Sequence, residues 1–212
     1  MQLKVILEAS GFEMARTKVL SYHGCSNIDV VRALGKLLRE RAPHLRLLVH
    51  RDRDYLSNEN LQRYTEMANE LDCAVFVTEF SDIEGYFLNP EHLHSLYPAL
   101  SIERATALLD QATGVTREES IRDIINLRME QAWKMRARGG DNPNAGQVAL
   151  EAAREYEANP GRMRRGKRVL GQLKGLLQQE LAENPRLERS SPALRLEPLR
   201  LVAETIWPPA GG

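Results

Sequence analysis

Apolar positions recur along this chain with two different periods, and the period changes near residue 98. In residues 2–9, Leu3, Ile6 and Leu7 share one face of a helix that Gly11 stops. Residues 18–22 (KVLSY) have the length and composition of a short strand. Ser26 forms a loose capping box with Asp29, and Val31, Leu34 and Leu38 make the apolar stripe of a helix that Pro43 ends. Residues 45–49 are an apolar run of strand length, bounded by Pro43 and the RDRD turn. Ser57 or Asn58 caps a helix to about Leu71, with Leu61, Met67 and Leu71 inward. Residues 74–80 (AVFVTEF) are rich in branched and aromatic side chains, as a buried strand should be. This strand–helix–strand–helix–strand order predicts an α/β fold with a mostly parallel sheet and right-handed crossovers.

After Pro98 the period is helical. Ser101 caps a helix ending near Gly114, and Thr116 with Glu119 forms a capping box for a longer helix with Ile121, Ile124, Ile125 and Ala132 inward. GGDNP at 139–143 breaks the pattern, a helix follows over 145–158, and NPG at 159–161 breaks it again. The last long helix, 163–182, carries Val169, Leu170, Leu173, Leu176, Leu177 and Leu181 on one side. Residues 184–194 read as irregular, 196–207 as a final short element and 208–212 as a loose tail. The expected organisation is an α/β core over 1–100, a helical region over 101–183 and an irregular C-terminal segment over 184–212.

Charge changes this picture only locally. Lys+Arg and Asp+Glu are equal at 29 each, so net charge points to neither nucleic acid nor membrane. Basic residues do outnumber acidic ones between Arg128 and Lys174, with a peak at Arg162, Arg164, Arg165, Lys167 and Arg168. The two cysteines, Cys25 and Cys73, form no CxxC pair, which argues against a disulfide framework or structural zinc. No run approaches membrane-span length and no signal-peptide pattern opens the chain, so a cytoplasmic setting is expected.

The candidate chemistry is acidic. In a parallel sheet the carboxyl ends of the strands share one edge, where ligands bind. The expected strands end at His23 and Gly24, at Asp52 and Asp54, and at Glu79, Asp82 and Glu84. Residues two apart in extended chain point the same way, so Asp52 and Asp54 can face one site. Hard divalent cations take such oxygen ligands. A DxD after a strand also reads as a polar turn whose aspartate bonds local amides. A second pair two apart, Asp82 and Glu84, favours a metal site over the turn.

These residues carry a resemblance. The run from YHGCSN through LLVHRDRDYL to VTEFSDIEGYFLNPEHL, about the first hundred residues, resembles a Toprim (topoisomerase–primase) domain. More narrowly, it resembles the Toprim nuclease half of the OLD (overcoming lysogenisation defect) family, in which an ABC-type ATPase precedes it. RRGKRVL (164–170) resembles the Gly–Lys segment late in those nucleases. The resemblance implies a metal-dependent DNA endonuclease of phage defence, using Mg2+ or Mn2+ in a two-metal hydrolysis of phosphodiester bonds. Asp52 and Asp54 would hold metal, Glu84 with Asp82 would hold a second metal or orient water, and Lys167 would offset phosphate charge. Arg162, Arg164, Arg165 and Arg168, with Lys167, would contact DNA; a solvated helix end is the alternative. An ABC-type ATPase partner and a homo-oligomer are expected, with no membrane association. Toprim domains open with a strand carrying a glutamate, then glycine and a helix. Here Met1 falls where that helix starts, so a fragment, a split subunit or an inactive remnant is expected. The second functional class is therefore a catalytically incomplete module with a structural, regulatory or DNA-binding role.

Other residues add little. His92 and His94 read as surface residues, since no pair has zinc-ligand context. Cys25 reads as a small buried residue, and Trp133 and Trp207 as packing or subunit contacts. No Gly-rich phosphate loop follows a strand, which disfavours a nucleotide-binding domain.

Overall fold

The computed structural model describes residues 2–21, 28–54, 58–71, 73–137, 139 and 141–207. Expectations that rest on Tyr22, His23, Gly24, Cys25, Ser26, Ser57 and 208–212, and on the Met67 side chain, lie outside the described residues. The described elements are mostly helical: α1 (Gln2–Ala9), α2 (Ile28–Arg41), β1 (Leu48–Arg51), α3 (Asn58–Leu71), β2 (Ala74–Val77), a 3-10 turn (Ile83–Phe87), α4 (Pro90–Leu96), α5 (Ile102–Val115), α6 (Arg117–Arg136), α7 (Ala145–Ala158), α8 (Pro160–Met163), α9 (Gly166–Leu181), a second 3-10 turn (Pro192–Leu194) and α10 (Glu197–Ile206). None of these helices is long and apolar enough to cross a membrane. The chain divides into two compact units, Met1–Thr78 with Glu188–Gly212, and Glu79–Leu187.

The first unit holds a small α/β core. β1 and β2 are parallel, with Leu48 opposite Ala74 and Arg51 opposite Val77, and α3 makes the crossover that a parallel pair requires. Val31, Val49, Tyr64 and Leu71 form the buried cluster, with Leu47, Cys73 and Val75 packed around it. Gly35 faces the Leu71 side chain, whose methyl lies 3.4 Å from the position a Cβ would take, an ordinary packing distance. Two strand expectations are corrected. Residues 18–21 are in no strand, and Leu20 is 63% exposed. A short apolar run becomes a strand only where a neighbour meets its backbone groups. β2 stops at Val77 rather than at 80: residues 79 and 80 bend, and Phe80 packs against Tyr86 at 4.9 Å.

The two ends of the chain meet within this unit. Ile6, Leu7 and Phe12 are buried, as are Leu194, Leu199 and Ala203. Ser10 Oγ accepts from Leu196 N–H at 3.1 Å, and Phe12 meets the Trp207 ring edge-on at 5.6 Å. The final short element expected at 196–207 is α10.

The second unit is a helical assembly around α5 and α9. α5 buries Ala105, Leu108, Leu109 and Ala112, the i, i+3, i+4, i+7 stripe of a helix facing a core. α9 buries Val169, Leu170, Leu173 and Leu177 against it. Each buried leucine contributes about 1.5–3 kcal/mol. Ser101 caps α5 by accepting from Arg104 N–H, and Asn89 caps α4 with Pro90 in the first turn. The capping box expected at Thr116 does not form. Its hydroxyl donates backwards to the carbonyls of Ala112 and Thr113, closing the end of α5 instead. α6 and α7 are joined by ion pairs, Arg128–Glu155 and Arg117–Glu157. Both are exposed enough to be worth little each.

Candidate functional site

The two acidic pairs fall in different units: Asp52 and Asp54 in the first, Asp82 and Glu84 in the second. In the first unit, β1 ends at Arg51, whose guanidinium lies 4.4 Å from the Tyr64 ring centroid. Asp52 and Asp54 follow, both partly buried. Arg53 N–H donates to Thr78 Oγ1 at 2.9 Å, tying the loop after β1 to the end of β2. Asp54 has φ +44, so the chain leaves the extended conformation there. The same-face argument for Asp52 and Asp54 required extended chain and is corrected accordingly. His50 Nε2 lies 3.6 Å from Asp52 Oδ1. Burial lowers the His50 pKa to about 4, so near neutral pH the contact is between a neutral ring and a carboxylate.

The second unit brings together two segments distant in sequence. Ser81 Oγ donates to Arg164 O at 2.7 Å, across 83 residues. Asp82 Oδ2 accepts from Lys167 N–H at 3.2 Å. Asp82 itself is extended, with φ −146 and ψ 169, and the 3-10 turn begins directly after it. Gly85 N–H donates to Asp82 O at 3.1 Å, closing that turn and placing partly buried Glu84 beside Asp82. Arg165 N–H donates to Ser120 Oγ, and the Arg164 guanidinium donates to Thr113 Oγ1 and to Leu88 O. Residues 81–88 and 164–167 are thus one joined structure.

Electrostatics in this joint are set mainly by burial. Desolvation raises the Asp82 carboxyl to about 6, and the nearby Glu84 charge adds to the rise. The Lys167 N–H, the Arg165 charge and the Gly85 N–H oppose it. Desolvation lowers the Arg164 pKa against the pull of Tyr156, Asp110 and Asp82.

The expected basic cluster separates into different roles. Arg164 is buried and held inside the unit, which corrects its place among DNA-contacting residues. Arg165 and Arg168 both pair with Asp123, and Arg168 also pairs with Glu119. Lys167 is exposed and Arg162 is half-buried. Among the described residues, no group of three or more His, Cys, Asp and Glu side chains lies close enough to hold one metal ion.

His92 is also corrected. It is fully buried, with Nε2 2.8 Å from Leu187 O and its ring 5.7 Å from that of Phe87. Its position explains this, since it follows the Asn89–Pro90 cap by one helical turn beside buried Leu93. Burial lowers its pKa, so the folded protein keeps it neutral while the unfolded chain protonates near 6.5. The unfolded state therefore binds more protons below about pH 6.5, and stability falls as pH drops through that value toward the lowered folded pKa. His92→Gln retains a donor for Leu187 O without a titrating ring. It is expected to flatten the acid side of the stability–pH profile, measured as urea midpoints from pH 7.5 to 5.

The residues that the sequence reading missed are Ser81, Thr113 and Ser120, whose hydroxyls organise the joint. Serines and threonines carry no spacing signal for such long-range pairing. No family model, curated protein or solved structure matches the chain.

Proposed function

We propose that the chain is the Toprim-type region of a metal-dependent DNA endonuclease, acting with an ABC-type ATPase. The observation that carries this reading is the joining of residues 81–85 to 164–167. These are the acidic turn and the Gly–Lys segment on which the resemblance to the OLD family rests, and they lie far apart in sequence. Asp52 and Asp54 in the first unit, and Glu84 in the second, each offer only carboxylate oxygen, the donor a hard divalent cation takes. Mg2+ needs only one or two carboxylates, with water and substrate phosphate completing its shell. Bound there, Mg2+ or Mn2+ would activate water and stabilise the leaving oxygen of a phosphodiester. Asp52 and Asp54 would hold cation, Glu84 would help hold a second or orient water, and exposed Lys167 would balance phosphate charge. Arg162 and Lys167 are the accessible cations for phosphate contact, whereas Arg165 and Arg168 first have to exchange acidic partners. A homo-oligomer belongs to the same reading.

Calorimetric titration with Mn2+ tests it. The wild-type chain is expected to bind, and Asp52→Ala and Glu84→Gln are each expected to weaken binding by about tenfold or more. No Mn2+ binding by the wild type, with and without the partner ATPase, would sink the endonuclease reading. One observation favours the second reading, a catalytically incomplete module: Asp82 is engaged by the start of α9. Full biological activity of an Asp52→Ala/Asp54→Ala protein would establish that module instead.

A further inference from the structure

We propose that Asp82 is a positioning residue and not a metal ligand: it couples the turn that carries Glu84 to the first turn of α9, which carries Lys167. The assignment rests on the endonuclease reading for the roles of Glu84 and Lys167. The coupling itself rests on geometry alone.

The first N–H groups of any helix lack intrahelical acceptors. α9 begins after Arg165, whose side chain caps nothing. The missing acceptor comes from 85 residues away, as Asp82 Oδ2 takes the Lys167 N–H. The negative carboxylate also meets the positive end of the helix dipole. The other oxygen, Oδ1, is buried and accepts no hydrogen bond; what it meets is the backbone of α9. A Cβ built on Gly166 would overlap Asp82 Oδ1, so Oδ1 rests directly against the Gly166 backbone. The side chain is 9% exposed. Both oxygens therefore face the start of α9, and neither is presented to a cation with its waters.

The same contact governs Glu84. The turn it sits in is closed by Gly85 N–H to Asp82 O, and Gly85 is pressed against Phe80, 2.5 Å from a Cβ to Phe80 Cβ. Ile83, Tyr86 and Phe87 bury the rest of the turn. Ser81 Oγ on Arg164 O holds the opposite side of the joint. The backbone that carries Glu84 is thus linked through Asp82 to the backbone that carries Lys167. The acidic pair therefore contains two residues of unlike exposure: Asp82 is buried as a cap, and Glu84 is half-buried.

The test compares Asp82→Asn, Asp82→Ala and Glu84→Gln in the full chain by amide hydrogen exchange and by Mn2+ titration. Asparagine caps helices as well as aspartate does. Asp82→Asn is therefore expected to keep Lys167 amide protection and wild-type Mn2+ affinity, both within about twofold. Asp82→Ala is expected to lose Lys167 protection on the order of tenfold while Leu173 and Leu177 stay protected. Glu84→Gln is expected to weaken Mn2+ binding and leave Lys167 protected. Mn2+ affinity lost in Asp82→Asn to the same degree as in Glu84→Gln would overturn the proposal, since it would make Asp82 a ligand. Unchanged Lys167 protection in Asp82→Ala would overturn the coupling. If Asp82→Ala does not fold, the Asn variant decides by the same two readouts. If the wild type binds no Mn2+, the endonuclease reading fails while the exchange data still decide the coupling.

Discussion

Gly166→Ala is expected to destabilise the unit formed by residues 79–187 by about 3 kcal/mol, the upper range for an overpacked site. A Cβ there would overlap Asp82 Oδ1 and lie 2.5 Å from Gly85 N and 3.0 Å from Glu84 C. Two of these three atoms are backbone, so no side-chain rotation relieves the clash. The turn cannot retreat either, because Gly85 is itself against Phe80. Helix propensity argues for the opposite sign, since alanine is favoured over glycine by up to about 1 kcal/mol inside a helix. The sign is therefore diagnostic. Gly171 and Gly175 lie in the same helix with nothing within 4 Å of their Cβ positions, and alanine at either is expected to be neutral or stabilising. Urea denaturation followed by circular dichroism separates the cases. A Gly166→Ala protein at least as stable as wild type would mean that the turn and α9 do not approach this closely.

Arg164→Ala is expected to cost about 3 kcal/mol, from a lost buried side chain and a stranded acceptor. Arg164 is 8% exposed, and its guanidinium donates to Leu88 O at 3.0 Å and Thr113 Oγ1 at 3.2 Å. Alanine leaves Leu88 O without that donor and opens a cavity between α5 and the turn. Arg164→Met is expected to recover about half of the loss, because it restores volume and removes a charge whose burial is itself costly. A residue acting through DNA phosphate would behave differently: its alanine variant would keep wild-type stability and lose DNA affinity. Measuring both quantities distinguishes these roles. Unchanged stability in Arg164→Ala would return Arg164 to the accessible basic cluster.

The helices were the most legible part of the fold. Ser101 caps α5 as its place before the apolar stripe suggests, and a cap is a contact between residues three apart; Asn144 and Asn159, at the two breaks, turn out to cap α7 and α8. α7 runs from Ala145 to Ala158, where the two breaks placed it. The apolar stripe of α9 is likewise visible as periodicity: Val169, Leu170, Leu173 and Leu177 are buried, whereas Leu176 and Leu181 are half-buried. Thr116 shows the limit of that method. Its TxxE spacing suits a capping box, yet the hydroxyl closes α5 because its backbone, φ −94 and ψ 3, is not the extended conformation a cap requires. His92 and Arg164 show it again. Their residue types are usually exposed, and only the chain packed around them decides that they are buried.

The site divides the same way. Asp52, Asp54, Asp82 and Glu84 stand out in sequence as carboxylates at strand ends, and β1 and β2 are indeed parallel with neighbouring carboxyl ends. Sequence alone determined which residues carry acidic chemistry, because chemistry belongs to side-chain type, and the bounds of α5 and α7, because their caps and breaks are local; it read Pro160–Met163 as a break and helix start, where the structure has the separate α8, with α9 beginning at Gly166. Only the tertiary structure decided that Asp54 leaves the extended chain, that Asp82 faces into the start of α9 and that Arg164 is internal. For Asp82 and Arg164 those outcomes depend on contacts across 85 and 76 residues, and for Asp54 on a backbone torsion, φ +44. A hydrogen bond between distant segments has no spacing to read, and which carboxylate becomes a cap is decided only when another element arrives beside it.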